Sequence, residues 1–297
     1  MTDPLTQFSH ALVARAQTAR QLVATIRISD TRHRTGSIWQ PDLIVASEQS
    51  LPKRDSYEIV LSGGASARAT PAGRDPGTNI ALLKLDRSVA LPQVPTAEPE
   101  LGSLALAFGT DRNGGARVRL GIVNFAGPEW HSRGGSRIDR RIVLDVDVGR
   151  SEEGGTVLNA EGARLGFSTF GPRRQVLVIP SATADRVIPQ LLQHGHIARG
   201  WLGVALQPVA VPDALQTAAG QTGGLMVMST AVDGPCARAG VLAGDILLSV
   251  DGEPVRRFRR IAGGLGPDSV GREVEIKFVR SGAVMSLKAR ITERPHA

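Results

Sequence analysis

The chain contains little cysteine and few aromatic residues. Among 297 residues there is one cysteine, Cys236, and only 4% of the residues are aromatic. A single cysteine excludes an internal disulfide framework and any cysteine-based metal cluster, and its setting in Gly-Pro-Cys-Ala-Arg-Ala-Gly predicts a small side chain packed in a core. No apolar run approaches the length of a membrane-spanning helix. The start of the chain lacks the basic and apolar stretches of a secretory signal, so we expect a cytoplasmic protein.

Lysine is also scarce, and the positive charge comes almost entirely from arginine. The formal net charge is +7, and the densest arginine cluster surrounds Phe258 within residues 256–260. Guanidinium groups suit bidentate recognition of carboxylate or phosphate. Because no aromatic-interleaved nucleic-acid motif accompanies them, we interpret the arginines as a solvated face and expect no nucleic-acid partner.

The distribution of turn residues indicates a strand-rich protein with more than one domain. Gly 34 and Pro 18 accompany a hydrophobic content of 41%, and short strand-like runs alternate with turn clusters, which favours a pair of barrels or a sandwich. Apolar residues at helical spacing predict a helix over 4–20, and a second helix fits Ser181–His194 before the stop signal Gly195. The pattern restarts after Arg199-Gly200 as a compact module.

Motifs in the last part of the chain resemble a PDZ domain. Arg199-Gly-Trp-Leu-Gly-Val204 is similar to the segment that opens the PDZ domain in the HtrA family, and Val178-Ile-Pro-Ser181 to the segment before that family's linker helix. Gly234-Pro-Cys-Ala-Arg-Ala-Gly-Val-Leu-Ala-Gly-Asp-Ile246 resembles the PDZ consensus Ser-Pro-Ala-Ala-x-Ala-Gly-Leu-x-x-Gly-Asp-x-Ile. The resemblance implies a mainly β fold: a chymotrypsin-like double six-stranded β-barrel followed by a C-terminal PDZ domain.

The resemblance also implies the division of the chain. We expect an N-terminal helix over 1–20, a degenerate trypsin-like protease domain over 21–180, a linker helix over 181–198 and a PDZ domain over 199–293.

Three motifs resemble the segments that carry the catalytic triad in this family, and all three are substituted. Leu43-Ile-Val-Ala-Ser-Glu-Gln-Ser-Leu51 places Gln49 in the histidine position, and Asp75-Pro-Gly-Thr-Asn-Ile-Ala-Leu-Leu-Lys84 places Asn79 in the aspartate position. The turn Gly149-Arg-Ser-Glu-Glu-Gly-Gly155 resembles Gly-Asn-Ser-Gly-Gly and places Glu153 at the nucleophile. Asp145 supports this register, because the family carries an aspartate eight residues before its serine.

These substitutions remove the chemistry of the triad. A serine hydroxyl attacks only when an imidazole accepts its proton and a carboxylate orients that imidazole. Gln49 cannot exchange a proton near neutral pH, and Glu153 places negative charge where an oxyanion must be stabilised. We therefore expect an inactive relative of serine endopeptidases. The alternative is a displaced nucleophile, Ser151, although no histidine stands at the base position.

The PDZ resemblance implies a peptide-binding site. PDZ domains add an extended peptide to a sheet edge and capture its C-terminal carboxylate with backbone amides. The resemblance assigns the carboxylate loop to Trp201, Leu202, Gly203 and Val204. Ile261 and Leu265, four residues apart on a predicted helical segment, form the second wall of the groove, which indicates an apolar C-terminal ligand residue.

The leading hypothesis is an HtrA-like pseudoprotease in bacterial protein quality control. It binds peptides or unfolded chains through its PDZ domain and inactive cleft, as an adaptor, regulator or chaperone-like holder. The alternatives are an active endopeptidase that uses Ser151 and a regulatory subunit, in a homo-oligomer or a complex with an active homologue. We expect no cofactor, and no metal site, since Glu152 and Glu153 lack further ligands.

Overall fold

The computed structural model describes residues 3–132, 135–255 and 264–295. This part of the chain divides into two compact units, residues 1–130 with 137–197 and residues 131–136 with 198–297. The arginine cluster at 256–260 and the groove residue Ile261 lie outside the described residues. No helix in the described ranges is long and apolar enough to cross a membrane.

The first unit begins with helix α1 (Pro4–Ala19), which starts with proline and is capped by Asp3, whose carboxylate accepts a hydrogen bond from Thr6 N at 3.1 Å. Six strands then close into a barrel in the order β1-β2-β3-β6-β5-β4 around an aliphatic core. The strands are β1 (Val23–Arg27), β2 (His33–Gln40), β3 (Leu43–Ser47), β4 (Tyr57–Val60), β5 (Ser66–Asp75) and β6 (Ile80–Leu85).

A second barrel follows, closed in the order β11-β14-β13-β12-β7-β8. Helix α2 (Ser181–His194) leaves its last strand and packs its buried face, including Val187 and Leu191, into a core shared with the first barrel. Gly195 ends the helix in a left-handed conformation, φ 74°. The strands of this barrel are β7 (Leu104–Thr110), β8 (Ala116–Gly127), β11 (Arg141–Asp145), β12 (Thr156–Asn159), β13 (Arg164–Phe170) and β14 (Val176–Pro180). The short strands β9 (Trp130–His131) and β10 (Arg137–Ile138) form a separate two-stranded sheet.

The second unit is a sheet with short helices, in the strand order β16-β17-β18-β20-β21 with β19 paired to β18. Its core contains Leu202, Cys236 and Phe278. Strand β16 stands at the edge of this sheet, where a further strand can pair with it. The elements are β15 (Gly200–Trp201), β16 (Val204–Ala210), α3 (Asp213–Ala219), β17 (Gly223–Thr230), α4 (Pro235–Ala239), β18 (Ile246–Val250), β19 (Glu253–Pro254), β20 (Glu273–Arg280), β21 (Ala283–Arg290) and β22 (Thr292–Glu293).

Candidate functional site

The structure brings the three triad-position side chains into one hydrogen-bonded cluster. Gln49 lies in the short 3-10 turn Glu48–Ser50 that follows β3. Asn79 ends the turn between β5 and β6, and Glu153 lies in the turn between β11 and β12. The three positions therefore come from the two barrels of the first unit and meet between them.

Gln49 and Glu153 contact each other directly. Gln49 Nε2 donates to Glu153 Oε1 at 2.8 Å, and it also lies 2.9 Å from Thr169 Oγ1 and 2.9 Å from the carbonyl oxygen of Phe170. The residue predicted for the base position thus touches the residue predicted for the nucleophile position, a contact that a triad requires. The contact joins a neutral amide to a carboxylate.

Asn79 supports Gln49 through its amide group. Asn79 Oδ1 accepts from the backbone N–H of Gln49 at 2.8 Å, and since that N–H can only donate, the orientation of the Asn79 amide is fixed. Its Nδ2 consequently donates to Thr169 Oγ1 at 2.7 Å and to Ser47 Oγ at 3.0 Å. Asn79 adopts a positive φ of 60°, a left-handed conformation that asparagine tolerates better than most residues.

Two hydroxyl groups complete the cluster. Ser47 Oγ donates to Glu153 Oε1 at 2.8 Å and Thr169 Oγ1 donates to the same atom at 2.9 Å. Glu153 is buried, with 6% of its surface exposed. We refer to Ser47, Gln49, Asn79, Glu153 and Thr169 as the polar cage. Sequence reasoning missed Ser47 and Thr169; Ser47 lies within the histidine-type motif, whereas no local signal marks Thr169.

The polar cage joins two amides, two hydroxyl groups and one carboxyl group. Its two amides are neutral and exchange no proton near neutral pH. Each hydroxyl uses its hydrogen on Glu153 and accepts from Asn79 or Gln49. Ser47, Glu153 and Thr169 are buried, whereas Asn79 is half-buried and Gln49 is exposed. Hydrogen-bonded side-chain networks of this kind hold together the segments that they join.

Glu152 turns away from the polar cage and forms a separate ion pair. Its carboxylate accepts two hydrogen bonds from Arg119, at 3.1 and 3.2 Å, and one from Gly149 N at 2.8 Å. Burial raises the pKa of Glu152, but the bonds from Arg119 and Gly149, together with the charges of Arg119 and Arg117, outweigh it and leave the pKa below its ordinary value. Glu152 and Glu153 have separate partners, and the described ranges contain no group of residues that would hold a metal ion.

Ser151, the alternative nucleophile, is positioned through its backbone. Its carbonyl oxygen accepts from Thr35 Oγ1 at 2.9 Å. Within the described residues no hydrogen bond joins its hydroxyl to an imidazole. His33 precedes Thr35 by two residues in the sequence. Its ring Nε2 donates to the carbonyl oxygen of Thr110 at 3.0 Å.

The predicted carboxylate loop forms the link between β15 and β16 in the second unit. Gly203 has a positive φ of 71°, and a side chain there would meet Gly234 Cα at 3.2 Å. The carbonyl oxygen of Leu202 accepts from Cys236 N at 3.0 Å, and that of Gly203 accepts from Ala231 N at 2.8 Å. Both carbonyl groups are therefore bound within the second unit.

The apolar residues predicted for the groove differ in exposure. Leu202 is 2% exposed and belongs to the core of the second unit. Val204 and Leu265 are half-buried and pack against the same core, and Trp201 is half-buried in β15. The structure thus places Val204 and Leu265 beside the loop.

Comparisons with known proteins agree with this architecture. The trypsin-like peptidase domain family matches residues 34–166, and the PDZ domain family matches residues 200–291. The chain is 30% identical over 261 residues to the probable periplasmic serine endoprotease DegP-like of Bartonella henselae, covering 85% of this chain and 51% of that protein. It is 24% identical over 268 residues to the serine endoprotease DegS of Escherichia coli, covering 86% of this chain and 75% of DegS.

A solved structure shares the fold over most of the chain. The HtrA-type protease AlgW with tripeptide matches with a TM-score of 0.71 and 25% sequence identity, covering 98% of both chains. The chain spans about half the length of the DegP-like relatives that it matches. These matches and the paired barrels identify the family: the chain belongs to the HtrA-like proteins, in which a trypsin-like peptidase domain is followed by a PDZ domain.

Proposed function

We propose that this HtrA-like protein binds peptide segments or unfolded chains without cutting them, as an adaptor, regulator or chaperone-like holder in protein quality control. The hydrogen bond of 2.8 Å between Gln49 Nε2 and Glu153 Oε1 is the observation that carries the proposal. This hydrogen bond stands where the base would contact the nucleophile in a triad. An amide and a carboxyl group cannot together activate a nucleophile by proton transfer.

The polar cage gives the substituted residues a structural role. Hydrogen bonds join five side chains from both barrels, and Glu153 is almost completely buried. This arrangement supports a scaffold kept for its shape, since the cleft segments remain fixed although the residues that would activate a nucleophile are gone.

The test measures cleavage of unfolded casein and labelling by a fluorophosphonate probe. The natural protein is expected to show neither. The variant Gln49→His, Asn79→Asp, Glu153→Ser restores the triad residue types, and a gain of cleavage in it would demonstrate that the scaffold was competent and only the triad was missing. Cleavage by the natural protein, purified away from other proteases, would contradict the proposal.

An active endopeptidase that uses Ser151 is the alternative within the same site. This alternative requires that labelling and casein cleavage occur in the natural protein and disappear in Ser151→Ala. The control is Ser62→Ala, a half-buried serine in a loop of the first unit. Persistence of cleavage in Ser151→Ala would exclude Ser151 as the nucleophile and indicate a contaminating protease or another site.

The carboxylate loop supports C-terminal peptide binding by the second unit. In a trans peptide unit the C=O and the following N–H point in opposite directions. Because the carbonyl groups of Leu202 and Gly203 bond to Cys236 N and Ala231 N, the N–H groups of Gly203 and Val204 point to the opposite side. Successive N–H groups directed to one side form an anion-binding concavity, and the edge strand β16 adjoins it.

Peptide binding is tested with C-terminal peptides that end in leucine, valine or aspartate, each with a free and an amidated carboxyl group. The free peptides with an apolar last residue are expected to bind tightest, and amidation is expected to abolish binding. Equal binding of free and amidated peptides would contradict the assignment of the loop.

A regulatory subunit of an active homologue is a further candidate, supported by the exposed apolar residues of α1, Leu5, Phe8 and Val13. Co-purification of full-length and helix-deleted protein with the active homologue tests it.

The cytoplasmic location stays a prediction, to be tested by fractionation.

A further inference from the structure

The first unit contains a polar pocket that is separate from the polar cage. Its volume is about 480 Å³, and it is lined by residues 27–30, Arg32, His33, Arg54, Glu58, Arg112 and Asn113. Four of the lining residues are arginines, Arg27, Arg32, Arg54 and Arg112. We propose that this arginine pocket binds the acidic side chains of an extended peptide segment.

The charges of the arginine pocket favour an anion. Its lining contains two carboxylates against four guanidinium groups, and one of the carboxylates, Glu58, already pairs with Arg27 at 2.7 Å. Arg54 is oriented by a hydrogen bond from Nη2 to the carbonyl oxygen of Ile28 at 2.6 Å. Arg32 and Arg112 have no ion-pair partner within the described residues, so their guanidinium groups are available to a ligand carboxylate.

The position of the arginine pocket links it to the cleft. His33 lines the pocket, and Thr35, two residues further along β2, donates to the carbonyl oxygen of Ser151 in the turn that carries Glu153. Two residues of extended strand span about 7 Å. Strand β2 therefore joins the pocket to the turn that carries Glu153, and the proposal places the acidic part of a chain bound along this turn in the pocket.

The size of the arginine pocket indicates more than a single small anion. Its volume of about 480 Å³ lies within the range of about 300–1,000 Å³ that is typical of sites for drug-sized ligands. The two guanidinium groups of Arg32 and Arg112 come from different segments of the chain, and each can bind one carboxylate. An acidic stretch with two or more carboxylates matches this arrangement better than one phosphate ion.

The inference rests on one part of the proposed function, that a peptide binds in the cleft. It does not depend on whether that peptide is cleaved. The experiment uses the full-length protein and fluorescent ten-residue peptides with amidated C-termini, which cannot engage the carboxylate loop. One peptide carries four aspartates among alanines, and its matched partner carries four asparagines. Anisotropy titrations at low and high salt give the dissociation constants.

The aspartate peptide is expected to bind and to weaken with salt, whereas the asparagine peptide is expected to bind roughly tenfold or more weakly, because charge-assisted hydrogen bonds exceed neutral ones. Arg32→Gln/Arg112→Gln should bring the aspartate peptide to the level of the asparagine peptide. The control Arg20→Gln/Arg238→Gln removes the same net charge from exposed arginines outside the pocket and should bind as the natural protein does.

Three results would overturn the inference. Equal binding of the two peptides excludes recognition of acid groups, and equal loss in both double variants reduces the effect to net charge. Full competition by inorganic phosphate at the concentration of the peptide would reassign the pocket to a small anion. Casein cleavage and the binding of free C-terminal peptides are measured independently of these results. The proposed function can therefore fail or succeed separately from the arginine pocket.

Discussion

Gln49 and Glu153 share a partner as well as a direct hydrogen bond. Gln49 Nε2 lies 2.8 Å from Glu153 Oε1, and both groups lie 2.9 Å from Thr169 Oγ1. The three atoms thus form a closed hydrogen-bonded triangle at the positions of base and nucleophile. A triangle of this kind makes each member depend on the other two, so their energetic contributions are not additive.

We predict strong coupling between Gln49 and Glu153 in a double-mutant cycle. Glu153→Ala removes the acceptor that Ser47, Gln49 and Thr169 share, and we expect the free energy of unfolding to fall by about 2–4 kcal/mol. Gln49→Ala removes one donor and should cost less. The coupling energy of the pair should reach about 1–3 kcal/mol, measured by urea unfolding followed by circular dichroism.

The matched control for this cycle is the exposed pair Arg27 and Glu58, whose side chains are 43% and 51% exposed. An exposed ion pair typically contributes about 0–1 kcal/mol because solvent screens it. If the two cycles gave the same small coupling energy, the polar cage would not be a cooperative unit, and the structural role proposed for Glu153 would be wrong.

The ion pair of Glu152 and Arg119 predicts a pH-dependent stability. The folded-state pKa of Glu152 lies below its ordinary value, so the ionised carboxylate stabilises the fold above the unfolded pKa, and this stabilisation disappears as the pH falls through the folded pKa. Arg119→Gln removes the hydrogen bonds from Arg119 that lower the pKa of Glu152. The burial that raises this pKa remains. The stability difference between natural protein and variant should therefore be largest at neutral pH and shrink below about pH 4.

Urea unfolding of both proteins between pH 3 and pH 7 measures this difference. Repeating the comparison in a Glu152→Gln background provides the control, because the difference should then no longer vary with pH. A difference between natural protein and Arg119→Gln that stays constant over the whole range would mean that Arg119 stabilises the fold through packing rather than through the carboxylate.

The turn chemistry of the sequence predicts much of the site. Asp75-Pro-Gly-Thr-Asn is a local turn signal, and in the structure the Asp75 carboxylate accepts from the backbone N–H groups of Gly77 and Thr78. Because these hydrogen bonds are local, the sequence predicts the turn that positions Asn79 in the polar cage. Thr169 is different: it lies 90 residues from Asn79 in sequence, and only closure of the second barrel brings it there.

Several elements of the fold also escape sequence reasoning. Strand β5 contains Pro71 and Gly73, and its pairing with β6 shifts register between them, so the alternation that marks a strand is hidden. Strand β2 contains Gly36, where a side chain would collide with Ile44 Cγ2. Helix α3 has seven residues and one buried position, too few to show a helical period.

Cys236 is predicted to be unreactive in the folded protein. It is completely buried, and burial raises the pKa of its thiol to about 12. At pH 8 the thiolate, which is the reactive form, is then about one part in ten thousand of the thiol. A disulfide reagent such as dithionitrobenzoate should react slowly with the native protein and quickly in urea. A native rate close to the rate in urea would show that this core opens readily or that the thiol is exposed.

Two glycines of the second unit offer a matched test of the carboxylate loop. Gly203 and Gly220 have nearly the same positive φ, 71° and 69°, so replacement by alanine introduces a similar backbone strain of about 1–2 kcal/mol at each. The surroundings differ. An alanine Cβ at Gly203 would lie 3.2 Å from Gly234 Cα and 3.3 Å from Pro235 Cδ, whereas at Gly220 it would meet nothing within 4 Å.

The two variants should therefore share the backbone strain and differ in peptide affinity. In Gly203→Ala the loop must shift away from Gly234 and Pro235, which moves the N–H groups of residues 203 and 204 out of register with a ligand carboxylate. Gly220→Ala leaves the loop in place. Calorimetric titration with a C-terminal peptide ending in leucine should give an affinity at least roughly tenfold lower for Gly203→Ala, corresponding to about 1.4 kcal/mol. Equal affinities for the two variants would mean that the peptide binds elsewhere, because strain alone is common to both.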